Sequence, residues 1–422
     1  MALLVYTENL NPRIMYAFQH IFGNILGIDF SFCNDLEAFK DYDEAKIAYN
    51  ERTLTDCLCF KKHPFIDETT IKTQDLAFAD YNGLKVPFAV DNSVFGFDVF
   101  AGSFYFLSRY EEYIFTERDE HLRFEGKDSL AYINGFLERP LIDEWAYEIA
   151  KIIKKAFPDF EAKKRIFKYI PTLDIDRPFY FRNEGFIRKL AKFVLGGFKK
   201  DPFDVYWQVT DWDKHFNLNT IYFFLLGTKH KNDVSPGSGN KLYQSVIRQV
   251  AKNHQIGIHP SYFAALNPDE VAEEKQQLSE ISGTEITISR QHYLMLRFPE
   301  TYRALIDAGI KTDYTLAFAD VAGFRASTCT PFLWYDLELE KSTDLTLYPT
   351  AVMDQTLRRY MALSPDEALQ FITRLMQNVR VVNGTFISLW HNESINNFGV
   401  FKGWQTVYEE MLTLGSEPYK VL

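Results

Sequence analysis

Thr172-Leu173-Asp174-Ile175-Asp176-Arg177-Pro178 reads as the end of a β-strand. Side chains in a strand alternate faces, so Asp174 and Asp176 share one face while Leu173 and Ile175 take the other. Pro178 has no amide to give to a central ladder, which ends the strand just after the second acid. Two carboxylates thereby stand at a strand's carboxyl end, where α/β folds keep their chemistry. Taken alone, a solvated acidic turn is the plain alternative.

Outward from this stretch, strand and helix signals alternate. Strands are expected near residues 169–176, 220–225, 255–259, 285–290, 313–318, 345–347 and 385–391. Asn267-Pro268 opens a helix that Gly283 closes, and Pro299 opens another that stops at Gly309. Ser364-Pro365-Asp366-Glu367 is a capping box with proline at the first helical position, and Asn383-Gly384 turns the chain into the last strand. About seven such units predict a parallel sheet in a closed or nearly closed (β/α) barrel. A doubly wound open sheet fits the same pattern, because strand order is not written in the sequence.

Polar chemistry gathers at the strand tips. Beyond the two aspartates come Gly257-Ile258-His259-Pro260-Ser261-Tyr262, Ser289-Arg290-Gln291-His292-Tyr293, Phe324-Arg325, Met353-Asp354 and Leu389-Trp390-His391-Asn392. A lone histidine is more often a structural hydrogen-bonding residue than a ligand. Three histidines, an arginine and two aspartates at successive strand ends point instead to a site.

On these residues, the stretch from about 165 to 422 resembles the polysaccharide deacetylase (NodB-like, carbohydrate esterase family 4) superfamily. The resemblance implies a distorted seven- or eight-stranded β/α barrel around one divalent metal. Thr172-Leu173-Asp174-Ile175-Asp176 resembles a variant of the first motif, which implies Asp174 as catalytic base and Asp176 as metal ligand. In the second motif two metal histidines stand four apart; His259 matches the first, and Phe263 occupies the second. Arg290-Gln291-His292 resembles the Arg-x-Pro that holds the base, with histidine in place of proline. Either His292 supplies the missing ligand, keeping an Asp-His-His set suited to zinc or a similar metal, or the metal site is altered. Leu389-Trp390-His391 matches the final motif and implies His391 as general acid. The implied reaction is hydrolysis of an amide, foremost deacetylation of an N-acetylated sugar or oligosaccharide. Hydrolysis of another small or cyclic amide and a glycan-binding barrel that cuts nothing are the rival readings.

Residues 1–160 are expected to form a smaller α/β domain of unassigned role. A large N-terminal domain ahead of such a barrel resembles the arrangement in uncharacterised bacterial proteins. Residues 3–7 read as a strand and 12–26 as a helix with Ile14, Phe18, Ile21 and Ile25 on one side. Within residues 91–113, Asn92 or Ser93 is the expected cap of an aromatic helix whose polar end, Arg109, Glu111 and Glu112, is assigned no chemistry. A further helix from Pro140 carries Leu141, Trp145, Ile149, Ile152 and Ile153 inward and ends near Phe157-Pro158. The polar segment 158–164 is the expected boundary.

Composition narrows the partners. A formal charge of −11 argues against a general affinity for nucleic acid or anionic membranes, leaving a carbohydrate or small amide as the expected substrate. The 38 Phe and 24 Tyr suit sugar-binding faces as well as cores. No apolar run reaches the ~18 residues of a membrane span, and the N-terminus reads as a strand instead of a signal peptide, so a cytoplasmic location is expected. Cys33, Cys57, Cys59 and Cys329 form no Cys-x-x-Cys pair and read as free thiols. The Gly/Pro/Ser-rich loop 230–240 is expected to edge a groove or to carry no role.

Overall fold

The computed structural model describes residues 2–52, 54, 57–181 and 201–417. Its first region is built on a parallel four-stranded sheet in the order β2-β1-β3-β4, from β1 (Leu3–Tyr6), β2 (Phe30–Cys33), β3 (Lys46–Asn50) and β4 (Cys59–Lys61). The helix after β1 starts at Pro12 because the Asn11 side chain accepts from the Ile14 amide and proline needs no acceptor there. It does not run unbroken to residue 26: after Phe18 the backbone widens into a π-helical turn over Gln19–Ile25. A hairpin of β5 (Phe78–Tyr81) and β6 (Leu84–Pro87) turns on Asn82-Gly83, both at positive φ.

The aromatic helix is Val99–Leu107, and its cap is Asp98, not Asn92 or Ser93. One Asp98 oxygen accepts from the amides of Phe100 and Ala101. Arg109 then adopts φ 55°, breaking the helix before a short second one over Tyr110–Ile114. The long helix Leu141–Ala156 closes the region with its apolar stripe inward.

The second region carries nine strands: β7 (Lys168–Ile175), β8 (Ile221–Phe224), β9 (Ile256–Ile258), β10 (Ile288–Ser289), β11 (Thr312–Asp313), β12 (Phe332–Asp336), β13 (Lys341–Leu347), β14 (Val352–Met353) and β15 (Thr385–His391). Their order is β12-β13-β11-β10-β9-β8-β7-β15-β14, with every neighbouring pair parallel except β12 and β13. The expected barrel is not seen as a closed one: the α/β sheet does not close among the described residues. Covalent chain stands where a closing ladder would: β13 pairs with β11, β14 with β15, and only residues 348–351 separate them. The expected helix signals hold, with helices at Glu270–Ser282 ended by Gly283, Glu300–Asp307, and Pro365–Val381 opened by a complete capping box. No helix among the described residues is long and apolar enough to cross a membrane.

Register sets the strand tips side by side. Asp174 on β7 pairs with His391 on β15, and Ser289 on β10 with Ile258 on β9, so the residues just beyond converge at one end of the sheet.

One apolar core runs through both regions. Tyr16 and Phe104 of the first pack on Tyr335 of the second at 4.9 and 5.1 Å between ring centres. Beside them lies a buried charge network in which Glu112 bridges Arg109 and Arg325, while Arg109 also takes Glu111. Every member is paired and Arg325 donates further to the Ala317 carbonyl, which offsets the cost of burying charge.

Candidate metal centre

Asp176 leaves the end of β7 as the chain turns toward Pro178, His259 follows β9, and His292 opens a turn just past β10. Together they form a group whose candidate ligand atoms lie within 4.8 Å of one another. The backbone decides which nitrogens face inward. His259 Nδ1 sits 2.6 Å from the Arg290 carbonyl and His292 Nε2 sits 3.1 Å from the Asn232 carbonyl. A carbonyl only accepts, so each of those nitrogens carries a proton and donates. That turns His259 Nε2 and His292 Nδ1 toward each other at 3.1 Å, as the two nitrogens left to share a proton or to hold an ion.

Asp176 Oδ1 completes the triangle at 3.2 Å from His259 Nε2 and 3.5 Å from His292 Nδ1, and this buried oxygen accepts no hydrogen bond. With both rings neutral these three atoms would repel one another, so either a shared proton or a cation must join them. Ligands ~2.0–2.2 Å from a tetrahedral ion lie ~3.3–3.6 Å apart, close to the edges observed, and Asp-His-His is a common donor set for zinc. The residues fit a divalent metal.

Electrostatics agree. Burial opposes charge on Asp176, but His292, His259 and His391 outweigh it and hold the carboxyl well below its usual range. Burial also pushes both rings toward the neutral form; Asp174 and Asp176 nevertheless hold His259 above the usual histidine range, whereas His292, which also faces His259, stays below it.

Two further groups flank the triangle. Arg290 Nη1 donates to Asp174 Oδ1 at 2.9 Å and to Thr172 Oγ1 at 2.6 Å, while Nε donates to the Tyr314 carbonyl and Nη2 to Thr350. With its guanidinium also 4.6 Å from the Phe223 ring centre, the fully buried Arg290 is held on all sides and fixes Asp174. On the other flank, His391 Nδ1 donates to Asp354 Oδ1 at 2.8 Å and its amide donates to Asp354 Oδ2 at 3.0 Å. Its Nε2 then points at the site, 3.7 Å from Asp176 Oδ2. Burial lowers the His391 pKa, but the bond and charge of Asp354, with Asp176 and Asp174, raise it to about 10.

Asp174, Asp176, His259, His292 and His391 line a cavity of about 450 Å³, and Arg290 stands behind Asp174. All six sequence candidates, Asp174, Asp176, His259, Arg290, His292 and His391, meet here. Phe263 does not: its amide donates to Asp233, and its ring stands beside Lys229. Arg325, also at an expected strand tip, is turned away into the charge network. Loop 230–240 has a role after all, since Asn232 orients His292 and Lys231 reaches the cavity.

Two contributors escaped the sequence reading. Asp354 was visible at a strand end, but nothing in the sequence pairs it with His391. Arg123, from the first region, donates to the Tyr293 carbonyl at 2.9 Å and lines the cavity. Tyr293 and Leu294 both adopt left-handed backbone, φ 60° and 55°, immediately after His292. Such conformations cost ~1–3 kcal/mol each and persist only where surroundings enforce them.

The profile of a family described as a family of unknown function (DUF7033) matches residues 3–158. No curated protein sequence matches the chain. Among solved structures, a candidate polysaccharide deacetylase of Mycobacterium smegmatis is similar at 15% identity and a TM-score of 0.41, over 60% of this chain and 84% of that one. A family 4 carbohydrate esterase of Streptomyces lividans, solved with acetate, is similar at 11% identity and a TM-score of 0.30, over 59% and 91%. A pseudoenzyme of the same esterase family from Bacillus anthracis is similar at 10% identity and a TM-score of 0.32, over 59% and 62%.

Proposed function

We propose that the protein is a metal-dependent hydrolase of an amide bond, foremost one that removes the acetyl group of an N-acetylated sugar or oligosaccharide. The observation that carries this reading is the triangle of converging donor atoms from Asp176, His259 and His292, with an anchored carboxylate on one flank and an anchored imidazole on the other. A divalent ion held by that triangle, zinc by preference, supplies Lewis-acid polarisation of the amide carbonyl and makes water acidic enough to ionise near neutral pH.

The remaining steps belong to side chains. Asp174, steadied by Arg290, takes the proton of the attacking water. His391 is held toward its charged form by Asp354, and its Nε2 gives a proton to the departing amine. Asp354 keeps the Nδ1 proton in place, so that Nε2 is the one that transfers.

Metal analysis of the purified chain, coupled to acetate release from N-acetylated oligosaccharides, tests the reading. About one divalent ion per chain, lost in Asp176→Ala and in His292→Ala, is expected for a three-ligand site. Failure to retain any divalent ion after reconstitution would overturn it in favour of a barrel-like glycan binder without catalysis.

A further inference from the structure

The cavity carries a charge surplus that hydrolysis does not use. Three carboxylates line it, and each has its own counterpart: Asp174 on Arg290, Asp176 within the ligand triangle, and Glu393 beside Arg177 at 3.5 Å. Five side chains that carry permanent positive charge line the same cavity, and two of them are matched, Arg177 by Glu393 and Arg123 by Asp119. Lys231, Arg358 and Arg359 have no carboxylate partner among the described residues. They come from two places, Lys231 from loop 230–240 and the arginines from the π-helical turn Thr356–Tyr360 after β14.

Arg358 is the most telling of the three. Its guanidinium is held by Gln355 Oε1, 3.0 Å from Nη2, and lies 4.8 Å from the Phe401 ring centre. Its Nε is buried and donates to nothing. A solvated surface arginine bears no such cost. The whole chain carries a net charge of −11, so its long-range field repels anions, and a local excess of cations at this one mouth runs against the composition.

We propose that the substrate is anionic: an N-acyl sugar carrying a phosphate or carboxylate group, which Arg358, Arg359 and Lys231 hold while the acyl group faces the ligand triangle. This rests on the hydrolase reading for the acyl end only; the anion seat stands on its own charges. Guanidinium groups suit either oxyanion, because their planar forks match paired oxygens.

Calorimetric titration of the full-length chain with N-acetylglucosamine, N-acetylglucosamine 1-phosphate and N-acetylmuramic acid tests the proposal. At low salt, one or both charged sugars bind at least ~10-fold tighter than the neutral one, and that advantage shrinks as salt is added. In Arg358→Gln/Arg359→Gln the advantage falls by ~10–100-fold. Lys231→Gln, on a separate loop, lowers it in the same direction and serves if the double variant fails to fold. Which charged sugar gains more separates a phosphate from a carboxylate substrate. Equal binding of all three sugars, or an advantage that survives the substitutions, or one that disappears in Asp176→Asn instead, overturns the anion seat. Charged sugars that bind on the arginines yet release no acetate would sink the hydrolase reading and leave the seat intact.

Discussion

The cluster of buried charge where the two regions meet and the one at the strand tips differ in saturation. Between the regions, Glu112 takes both Arg109 and Arg325, Glu111 takes Arg109, and the guanidinium groups spend further donors on backbone carbonyls. At the strand tips, Asp174 and Arg290 are equally well anchored, but Asp176 Oδ1 accepts no hydrogen bond and His259 Nε2 and His292 Nδ1 have only each other. Saturation marks a cluster whose work is to hold the fold. Unsaturation, maintained by carbonyls that dictate the tautomers, marks one prepared for a guest.

That contrast can be broken at either cluster. The largest effect is expected from Asp174→Asn, which should lower turnover ~10²–10⁴-fold while leaving metal content unchanged. Near-normal acetate release from that variant would remove Asp174 from the reaction. Next comes Glu112→Ala, which strands the buried Arg325 guanidinium and leaves Arg109 to Glu111 alone, and should cost ~3–5 kcal/mol in denaturant unfolding. A loss below ~1 kcal/mol would mean that water reaches the network, and the contrast would fail.

A pH titration sharpens it within the first region. Burial raises Asp98 to about 6 despite the amides of His63, Ala101 and Phe100 and the Tyr49 hydroxyl that donate to it. Its folded pKa lies above the unfolded value, so the folded state binds the extra proton. Stability from this group therefore rises as pH falls through about 6 and levels off near the unfolded value of 3.8. Relative to wild type, Asp98→Asn should accordingly lose ~2–3 kcal/mol between pH 7 and pH 4. A pH-independent difference between the two proteins would show that burial leaves Asp98 unperturbed.

The smallest effect is expected at the unsaturated cluster itself. With chelator present, Asp176→Asn should cost only ~1–2 kcal/mol, because its charge faces imidazoles alone, whereas Glu112 takes two guanidinium groups. A large loss there would make Asp176 a structural residue like Glu112.

Much of the site was legible because it follows from strand geometry. Period two put Asp174 and Asp176 on one side, proline ended the strand, and successive strand ends supplied His259, Arg290, His292 and His391. That His292, and not Phe263, stands beside His259 and Asp176 was legible only as one of two outcomes, since it depends on the adjacency of β9 and β10. Three features were not legible. Arg325 sits at a tip like the others, but its partner Glu112 lies 213 residues away. Asp354 reaches His391 through the β14–β15 pairing, which strand order alone reveals. Failure of the sheet to close depends on where β13 and β14 pair, and no local propensity encodes that.

Arg123 has a consequence for how such a protein can change over time. The residue belongs to the first region, yet its bond to the Tyr293 carbonyl helps to hold the left-handed turn that follows His292. The two halves are thus not exchangeable parts. A recombination event that swapped the first 160 residues for those of a distant relative would preserve all six site residues in the gene and still misplace one of them. Ancestry should therefore tie the halves together, with Arg123 and Tyr360, whose hydroxyl accepts from Arg123 Nη2 at 3.2 Å, varying in concert across the lineage.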